Sequence, residues 1–119
     1  MNWCLKAFDS DIAKKFPIDD GEVDRVYSIC TIEHLTSTIR RFMMREVGRV
    51  LKTGGVAAIT MCYDLNHKVL MEDKGLRFAY WQKIERDVVG PSGMGVLGRT
   101  DLTDFKGKDF LGILFLKKK

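Results

Sequence analysis

Hydrophobic positions recur with two different periods in the middle of the chain, and each period predicts a different element. Val23 to Ile29 is apolar at most positions, as in a buried parallel strand. Apolar residues spaced by three and four follow and predict an amphipathic helix, which Thr36 or Ser37 would cap. Val56 to Met61 is apolar and partly β-branched, which favours a second strand. Strand, helix and strand in this order predict a βαβ unit, whose chemistry lies at the carboxyl ends of the strands.

The predicted helix has one apolar face and one basic face. The glycine pair Gly54 and Gly55 is expected to supply the positive φ that ends it. Met44 is predicted to lie off the apolar face. The apolar face is expected to hold Ile39, Phe42, Met43, Val47, Val50 and Leu51, and the solvated face Arg40, Arg41, Arg45 and Arg49.

The flanking segments give weaker patterns. Trp3 to Phe8 alternates apolar and polar residues and predicts a short strand. Leu65 to Val89 has an imperfect helical period broken near Gly75, which suggests two helical pieces. Gly90 to Gly98 is glycine-rich and is expected to be a loop, and Phe110 to Leu116 predicts a last strand. Together these elements predict an α/β fold with a mainly parallel sheet of about four or five strands in a single domain over residues 1–119.

Composition restricts the classes of function. The 119 residues are 45% hydrophobic and 30% charged, as in an ordinary globular domain. No apolar run reaches the roughly 18 residues of a membrane span, and the first residues do not resemble a signal peptide, so a cytoplasmic location is expected. The three cysteines are far apart and predict free thiols rather than a disulfide framework or a metal site. A net charge of +4 permits nucleic-acid binding, but a solvated helix face and a lysine tail explain it better.

Two motifs in register carry a family resemblance. The first is FPIDDGEVDRVYSICTIEHL at Phe16 to Leu35, and the second is EVGRVLKTGG at Glu46 to Gly55. They resemble the class I S-adenosylmethionine-dependent methyltransferases of type 11, in which a similar loop leads into the fourth strand, an EH pair follows it, and RVLKPGG precedes the fifth strand. Thr53 replaces the usual Pro and Val23 the usual Phe, and neither position carries a ligand atom.

The resemblance implies a partial, Rossmann-like methyltransferase domain. The glycine-rich motif at which the family holds the methionine part of the cofactor has no counterpart ahead of these motifs, so the chain is expected to be the C-terminal part of the domain, truncated by about two strands. An open sheet edge readily recruits another strand, and a homodimer or a partner chain that completes the sheet is therefore expected.

The resemblance also assigns candidate residues for S-adenosyl-L-methionine. Asp9 or Asp11 resembles the acidic position that accepts a hydrogen bond from the adenine amino group, and a turn-forming Asp is an equally good interpretation. Ile12 would pack on the adenine face. Cys30 and Thr31, at the strand end, would line the sulfonium region. The alternative interpretation of Cys30 and Thr31 is an ordinary strand end.

The substrate side is implied to hold Glu33, His34, Tyr63 and His67. His34 is a candidate acid or base because histidine exchanges protons near neutral pH. The family uses the EH pair chiefly to shape the start of the helix and the floor of the substrate site. The methyl acceptor carries no motif that can be read.

A literal G-x-G-x-x-G stands at Gly93 to Gly98. A cofactor loop of this kind must follow a strand and open a helix, whereas this one follows a helical pattern. A lid or connection is the better interpretation. The expected function is methyl transfer to an unknown acceptor, active alone or only with a partner. The alternatives are a non-catalytic scaffold that pairs through a sheet edge and, more remotely, a nucleic-acid-binding module.

Overall fold

A four-stranded mixed sheet with helices on one face organises the chain. The computed structural model describes residues 5–63, 81–98 and 110–119. The strand order is β1-β2-β4-β3, with β1 and β2 parallel, β4 antiparallel to β2, and β3 antiparallel to β4. The predicted α/β class and the parallel βαβ unit are confirmed, and the four strands of the described residues agree with the predicted four or five. The sheet was predicted to be mainly parallel; it is mixed, with one parallel and two antiparallel pairings in that part of the chain. Its elements are β1 (Val23–Ile29), a 3-10 turn (Ile32–His34), α1 (Ser37–Val50), β2 (Leu51–Tyr63), α2 (Trp81–Ile84), a π-helical turn (Glu85–Val89), α3 (Gly90–Ser92), β3 (Gly95–Val96) and β4 (Phe110–Lys117).

Helix α1 begins where the sequence predicts. Thr36 is the cap, since its hydroxyl oxygen accepts a hydrogen bond from the Ile39 amide at 3.4 Å. The helix ends at Val50 and β2 starts at the next residue. The prediction for the glycine pair is therefore wrong. Gly54, with φ of 83°, lies in an irregular stretch of β2, where the pairing with β1 shifts register. It gives the chain a turn in the strand rather than an end to the helix.

The buried face of α1 is rotated relative to the prediction. Arg40 and Met44 are both 0% exposed, whereas Ile39 and Phe42 are only half-buried. The inner stripe of α1 recurs every three or four positions. It begins at Arg40, continues with Met43 and Met44, and reaches Val47. The expected solvated arginine face is wrong at Arg40, because hydrogen bonds inside the protein satisfy its guanidinium.

One face of the sheet carries the core. Side chains alternate along β2, so Ala57, Ile59 and Met61 point into the core while Val56, Ala58 and Thr60 are half-buried on the other face. Tyr27 and Ile29 of β1 and Phe115 of β4 are exposed. The core cluster comprises Ile32, Met43, Met44, Val47, Leu51, Ala57, Ile59, Met61, Ile84, Val88, Met94, Leu114 and Leu116.

Three flanking predictions require correction or lie outside the described residues. Leu5 to Phe8 is irregular and exposed rather than a strand, because it pairs with no neighbouring strand. Gly90 to Gly98 is not wholly loop: Gly90–Ser92 extends the helical stretch and Gly95–Val96 pairs with β4. The last strand is confirmed as Phe110–Lys117. The predicted break near Gly75 lies outside the described residues.

Candidate active site

The carboxyl end of β1 is a strained turn. Cys30 has φ of 50°, the only positive value for a non-glycine residue in the described part of the chain. Such a conformation costs of order 1 kcal/mol or more for a residue with a Cβ. Thr60 of β2 holds it, since the Cys30 amide donates to the Thr60 carbonyl at 3.1 Å and to its hydroxyl at 3.0 Å. Strain maintained by specific bonds at a strand end is a feature of functional sites.

The next residue continues this turn. The Thr31 hydroxyl donates to the Ile29 carbonyl at 3.1 Å, which folds its side chain back on β1. The Cys30 thiol is free and exposed, 3.9 Å from the Thr60 hydroxyl. Cys30 and Thr31 thus present polar groups at the edge where ligands of parallel sheets bind.

Glu33 is the most unusual side chain of this region. It is 0% exposed, and neither carboxylate oxygen has a hydrogen-bond partner among the described residues. The Nε2 atom of His34, whose side chain is 62% exposed, lies 3.7 Å from Glu33 Oε1. A buried carboxylate without donors is costly, and native proteins keep few of them. This carboxylate therefore has hydrogen-bonding capacity that the described residues leave unused.

Arg40, on α1, holds the backbone of this turn through two hydrogen bonds. Its Nε donates to the Ile32 carbonyl at 2.8 Å and its Nη2 to the Glu33 carbonyl at 3.0 Å. Its Nη1 reaches Asp87 Oδ2 at 3.4 Å. Burial lowers the pKa of Arg40, and the hydrogen bond to Asp87 opposes that effect. The turn is thus attached to α1 by a fully buried guanidinium.

Asp87 lies at the centre of a buried polar cluster. It is 0% exposed and accepts from the Ser37 hydroxyl at 2.8 Å, from Arg41 Nε at 3.1 Å and from Arg86 Nε at 2.8 Å. Burial alone would raise its pKa, but the hydrogen bonds from Arg86, Ser37 and Arg41 lower it below the ordinary value. Asp87 is therefore ionised at neutral pH and holds α1 against the π-helical turn.

Arg49 joins the two sequence motifs physically. Its Nη2 donates to the Phe16 carbonyl at 3.2 Å, and its Nε donates to Glu46 Oε2 at 2.7 Å. Glu46 Oε1 in turn accepts from the Phe16 amide at 2.8 Å. Arg49 Nη1 also donates to Asp20 at 2.8 Å. The loop ahead of β1 is thus fixed to the end of α1, which explains why both motifs occur in register.

The predicted cofactor and substrate-side residues fall into two groups. One short turn after β1 contains Cys30, Thr31, Glu33 and His34, and Tyr63 ends β2 at the same edge of the sheet. Asp9 and Asp11 are exposed, and no hydrogen bond or ion pair joins either to that turn. Asp11 accepts from the Ala13 amide at 2.9 Å, as in a simple turn, and Ile12 packs partly on the core. His67 lies outside the described residues.

Three residues of this region were not predicted. The signal for Arg40 was available, because it stands three, four and seven residues before Met43, Met44 and Val47 on one face. Thr60 interrupts an otherwise apolar strand, which also marks it. Asp87 has no comparable signal, since its partners on α1 are 46 to 50 residues away in sequence.

The described residues carry no sign of a metal centre or a membrane span. Within residues 5–63, 81–98 and 110–119, no three His, Cys, Asp or Glu residues lie close enough to hold a metal ion. No helix in those ranges is long and apolar enough to cross a bilayer.

Comparison with known proteins shows which family the sequence resembles. Residues 4–59 match the family model described as a methyltransferase domain. None of the curated proteins compared matches the sequence.

Solved structures share the fold. An S-adenosylmethionine-dependent methyltransferase from Methanosarcina mazei is 12% identical, with a TM-score of 0.67 over 92% of this chain and 65% of its own. One from Aquifex aeolicus is 19% identical, with a TM-score of 0.64 over 93% and 53%. The [4+2]-cyclase SpnF is 20% identical, with a TM-score of 0.59 over 76% and 33%. The chain thus spans a third to two thirds of the length of these structures.

Proposed function

We propose that this chain is part of a class I S-adenosylmethionine-dependent methyltransferase domain and takes part in methyl transfer at the carboxyl end of β1. The observation that carries the proposal is the strained Cys30–Thr31 turn next to the buried carboxylate of Glu33, which accepts no hydrogen bond from the described residues. The fold alone does not fix the reaction, since a cyclase shares it. The function is therefore argued from the residues of the turn.

The proposed cofactor is S-adenosyl-L-methionine, and the described residues would contact its adenine and sulfonium regions. An exposed carboxylate, Asp9 or Asp11, is an acceptor for the adenine amino group, and Ile12 offers an apolar surface beside it. Cys30 and Thr31 would face the sulfonium region. When bound, the cofactor supplies an activated methyl group, whose transfer depends mainly on orientation.

Glu33 and His34 are proposed to face the methyl acceptor. The free lone pairs of Glu33 would accept a hydrogen bond from an N–H or O–H of that molecule, which removes the cost of the unpaired carboxylate. His34, at 3.7 Å and largely exposed, would hold or take up a proton from the same group. Arg40 keeps both residues in place through the backbone of the turn. Tyr63 and His67 remain proposed substrate-side residues.

Calorimetric titration with S-adenosylhomocysteine tests the cofactor part of the proposal. We expect saturable binding, weakened about tenfold by Asp11→Ala or by Asp9→Ala, since an adenine hydrogen bond to a charged acceptor contributes roughly 1.5 kcal/mol. The variant that weakens binding decides between the two residues. Asp19→Ala removes another exposed carboxylate of the same loop region and is the matched control. A folded protein that does not bind, or that binds equally in all three variants, would contradict the proposal.

A second candidate function is that of a scaffold that pairs with its own copy. β1 is at the end of the strand order, and Tyr27 and Ile29 are 70% and 71% exposed on its outer face. Antiparallel pairing of two β1 strands about Val26 would set Arg25 opposite Tyr27 of the other copy, a favourable cation–π pair. The edge is thus self-complementary, which favours a second copy as the occupant.

Light scattering across a concentration series tests this pairing. We expect a dimer that Tyr27→Lys converts to monomer, because the change sets a second cationic side chain opposite Arg25 of the other copy. Phe115→Lys, at an exposed apolar position on β4, is the control and should remain dimeric. A wild-type monomer at all concentrations would contradict the pairing.

The proposed compartment is the cytoplasm, where the exposed Cys30 thiol would stay reduced.

A further inference from the structure

An open groove of about 510 Å³ lies between α1 and the helical stretch 81–92, and no residue of a strand lines it. Its volume is in the range of small-molecule sites. Three of its six lining residues are arginines. The lining residues are Arg41, Arg45, Glu85, Arg86, Gly90 and Pro91.

The buried Asp87 orients two of these arginines. Arg41 Nε and Arg86 Nε both donate to Asp87 Oδ1, at 3.1 Å and 2.8 Å, and both guanidinium groups also contact the Ser37 hydroxyl. Their side chains nevertheless remain 38% and 42% exposed. Guanidinium groups fixed from behind lose little rotamer entropy when they bind an anion. The two arginines are thus preorganised and still accessible.

Arg45 differs from Arg41 and Arg86 in its exposure and in its contacts. It is exposed on α1, one turn after Arg41, and it makes no hydrogen bond or ion pair within the part of the chain that the structure describes. All five of its N–H donors are available to a ligand. A planar guanidinium matches the oxygens of a phosphate group bidentately.

The charge balance of the groove favours an anion. Three lining guanidiniums face one lining carboxylate, that of Glu85. Behind them, the buried carboxylate of Asp87 is shared by Arg40, Arg41 and Arg86. Counting these buried groups as well, four guanidiniums stand against two carboxylates, so this group of side chains has a formal net charge of plus two.

The local backbone provides an additional indication. Glu85–Val89 forms a π-helical turn between α2 and α3. This rare geometry is found frequently at functional sites. Here it carries Arg86, Asp87 and Glu85 together, so it sets both the orienting carboxylate and part of the groove wall.

We propose that this groove is a binding site for a soluble small molecule that carries a pyrophosphate group. Arg45 and the outward edge of Arg41 bind the phosphate oxygens, and Asp87 with Ser37 holds Arg41 and Arg86 in position. The site is separate from the proposed cofactor turn and does not depend on methyl transfer.

Calorimetric titration of the full chain with pyrophosphate at fixed ionic strength tests the site. Arg45→Gln should weaken binding about tenfold, because it removes charge-assisted hydrogen bonds without breaking an internal one. Glu85→Gln should strengthen binding a few-fold, because it removes the opposing carboxylate. Lys117→Gln removes one positive charge at an exposed position on β4 that does not line the groove, so it is the charge-matched control and should bind as the wild type does.

Two outcomes would overturn the proposal. The first is no pyrophosphate binding, or binding that Arg45→Gln and Lys117→Gln weaken equally, since this would reduce the effect to net charge. The second is tight, Arg45-dependent binding of a single-stranded oligonucleotide by a protein that does not bind pyrophosphate, which would make the groove part of a nucleic-acid surface. All variants retain Asp87 and its partners, and circular dichroism at neutral pH confirms that they are folded.

Discussion

At the scale of the residue, Gly48 shows how packing overrides local preference. A Cβ at this position of α1 would lie 2.1 Å from the Ser92 carbonyl oxygen of α3. Helix propensity favours Ala over Gly by about 1 kcal/mol, but the two helices would have to separate. We predict that Gly48→Ala lowers the free energy of unfolding by about 2 kcal/mol net, measured by urea denaturation.

Thr38→Ala is the matched control for Gly48. Thr38 is exposed on the same helix, so its change should alter stability by less than about 0.5 kcal/mol. Equal or greater stability in Gly48→Ala than in the wild type would contradict the close packing of α1 on α3.

Residue identities could be read from the sequence only where local chemistry decides them. The Thr36 cap followed from its place before an amphipathic run. The burial of Arg40 was missed because an arginine was assumed to prefer water, although its spacing to Met43 and Val47 marked the inner face. The strained φ of Cys30 had no signal, since it depends on hydrogen bonds from a strand 30 residues away.

At the scale of the element, hydrogen bonds join Arg49, Glu46 and the backbone of Phe16, and we call this group the Arg49 clamp. The clamp makes the free energy of unfolding depend on pH. The hydrogen bond from Arg49 lowers the pKa of Glu46, and burial opposes this effect. A folded pKa below the unfolded one means that ionised Glu46 stabilises the fold above its unfolded pKa. This contribution is lost as the pH falls through the folded pKa.

We therefore predict that Glu46→Gln costs about 1 to 2 kcal/mol at pH 7 and flattens the decline of stability between pH 6 and pH 3, as measured by urea denaturation. Combining it with Arg49→Gln should cost less than the sum of the two single changes, since both remove the same interaction. Strict additivity together with an unchanged pH profile would contradict the clamp.

Elements were predicted well where periodicity was strong and poorly where it was not. The strands β1, β4 and the core of β2 follow from apolar runs, and α1 follows from an apolar spacing of three and four. The inner face of α1 was misplaced by about one residue. Leu5 to Phe8 belongs to a segment with the right alternation, but it pairs with no strand of the described residues, and alternation alone does not make a ladder.

At the scale of the whole molecule, the sequence indicated the family but not the full topology. Parallel pairing of β1 with β2 follows from the intervening helix, whereas an apolar run such as Phe110–Lys117 contains no information about its direction. The buried link from Asp87 through Arg40 to the turn after β1 joins segments 47 residues apart in sequence. It could be found only once the helices were in place.

Backbone amide chemical-shift mapping of the full chain with S-adenosylhomocysteine tests the central claim most directly. The account predicts saturable shifts concentrated at residues 30–34 and in the segment Asp9 to Ile12, with little change at Arg45. Largest shifts in the groove between α1 and the helical stretch 81–92, or no shifts in a folded protein, would contradict a cofactor site at the carboxyl end of β1.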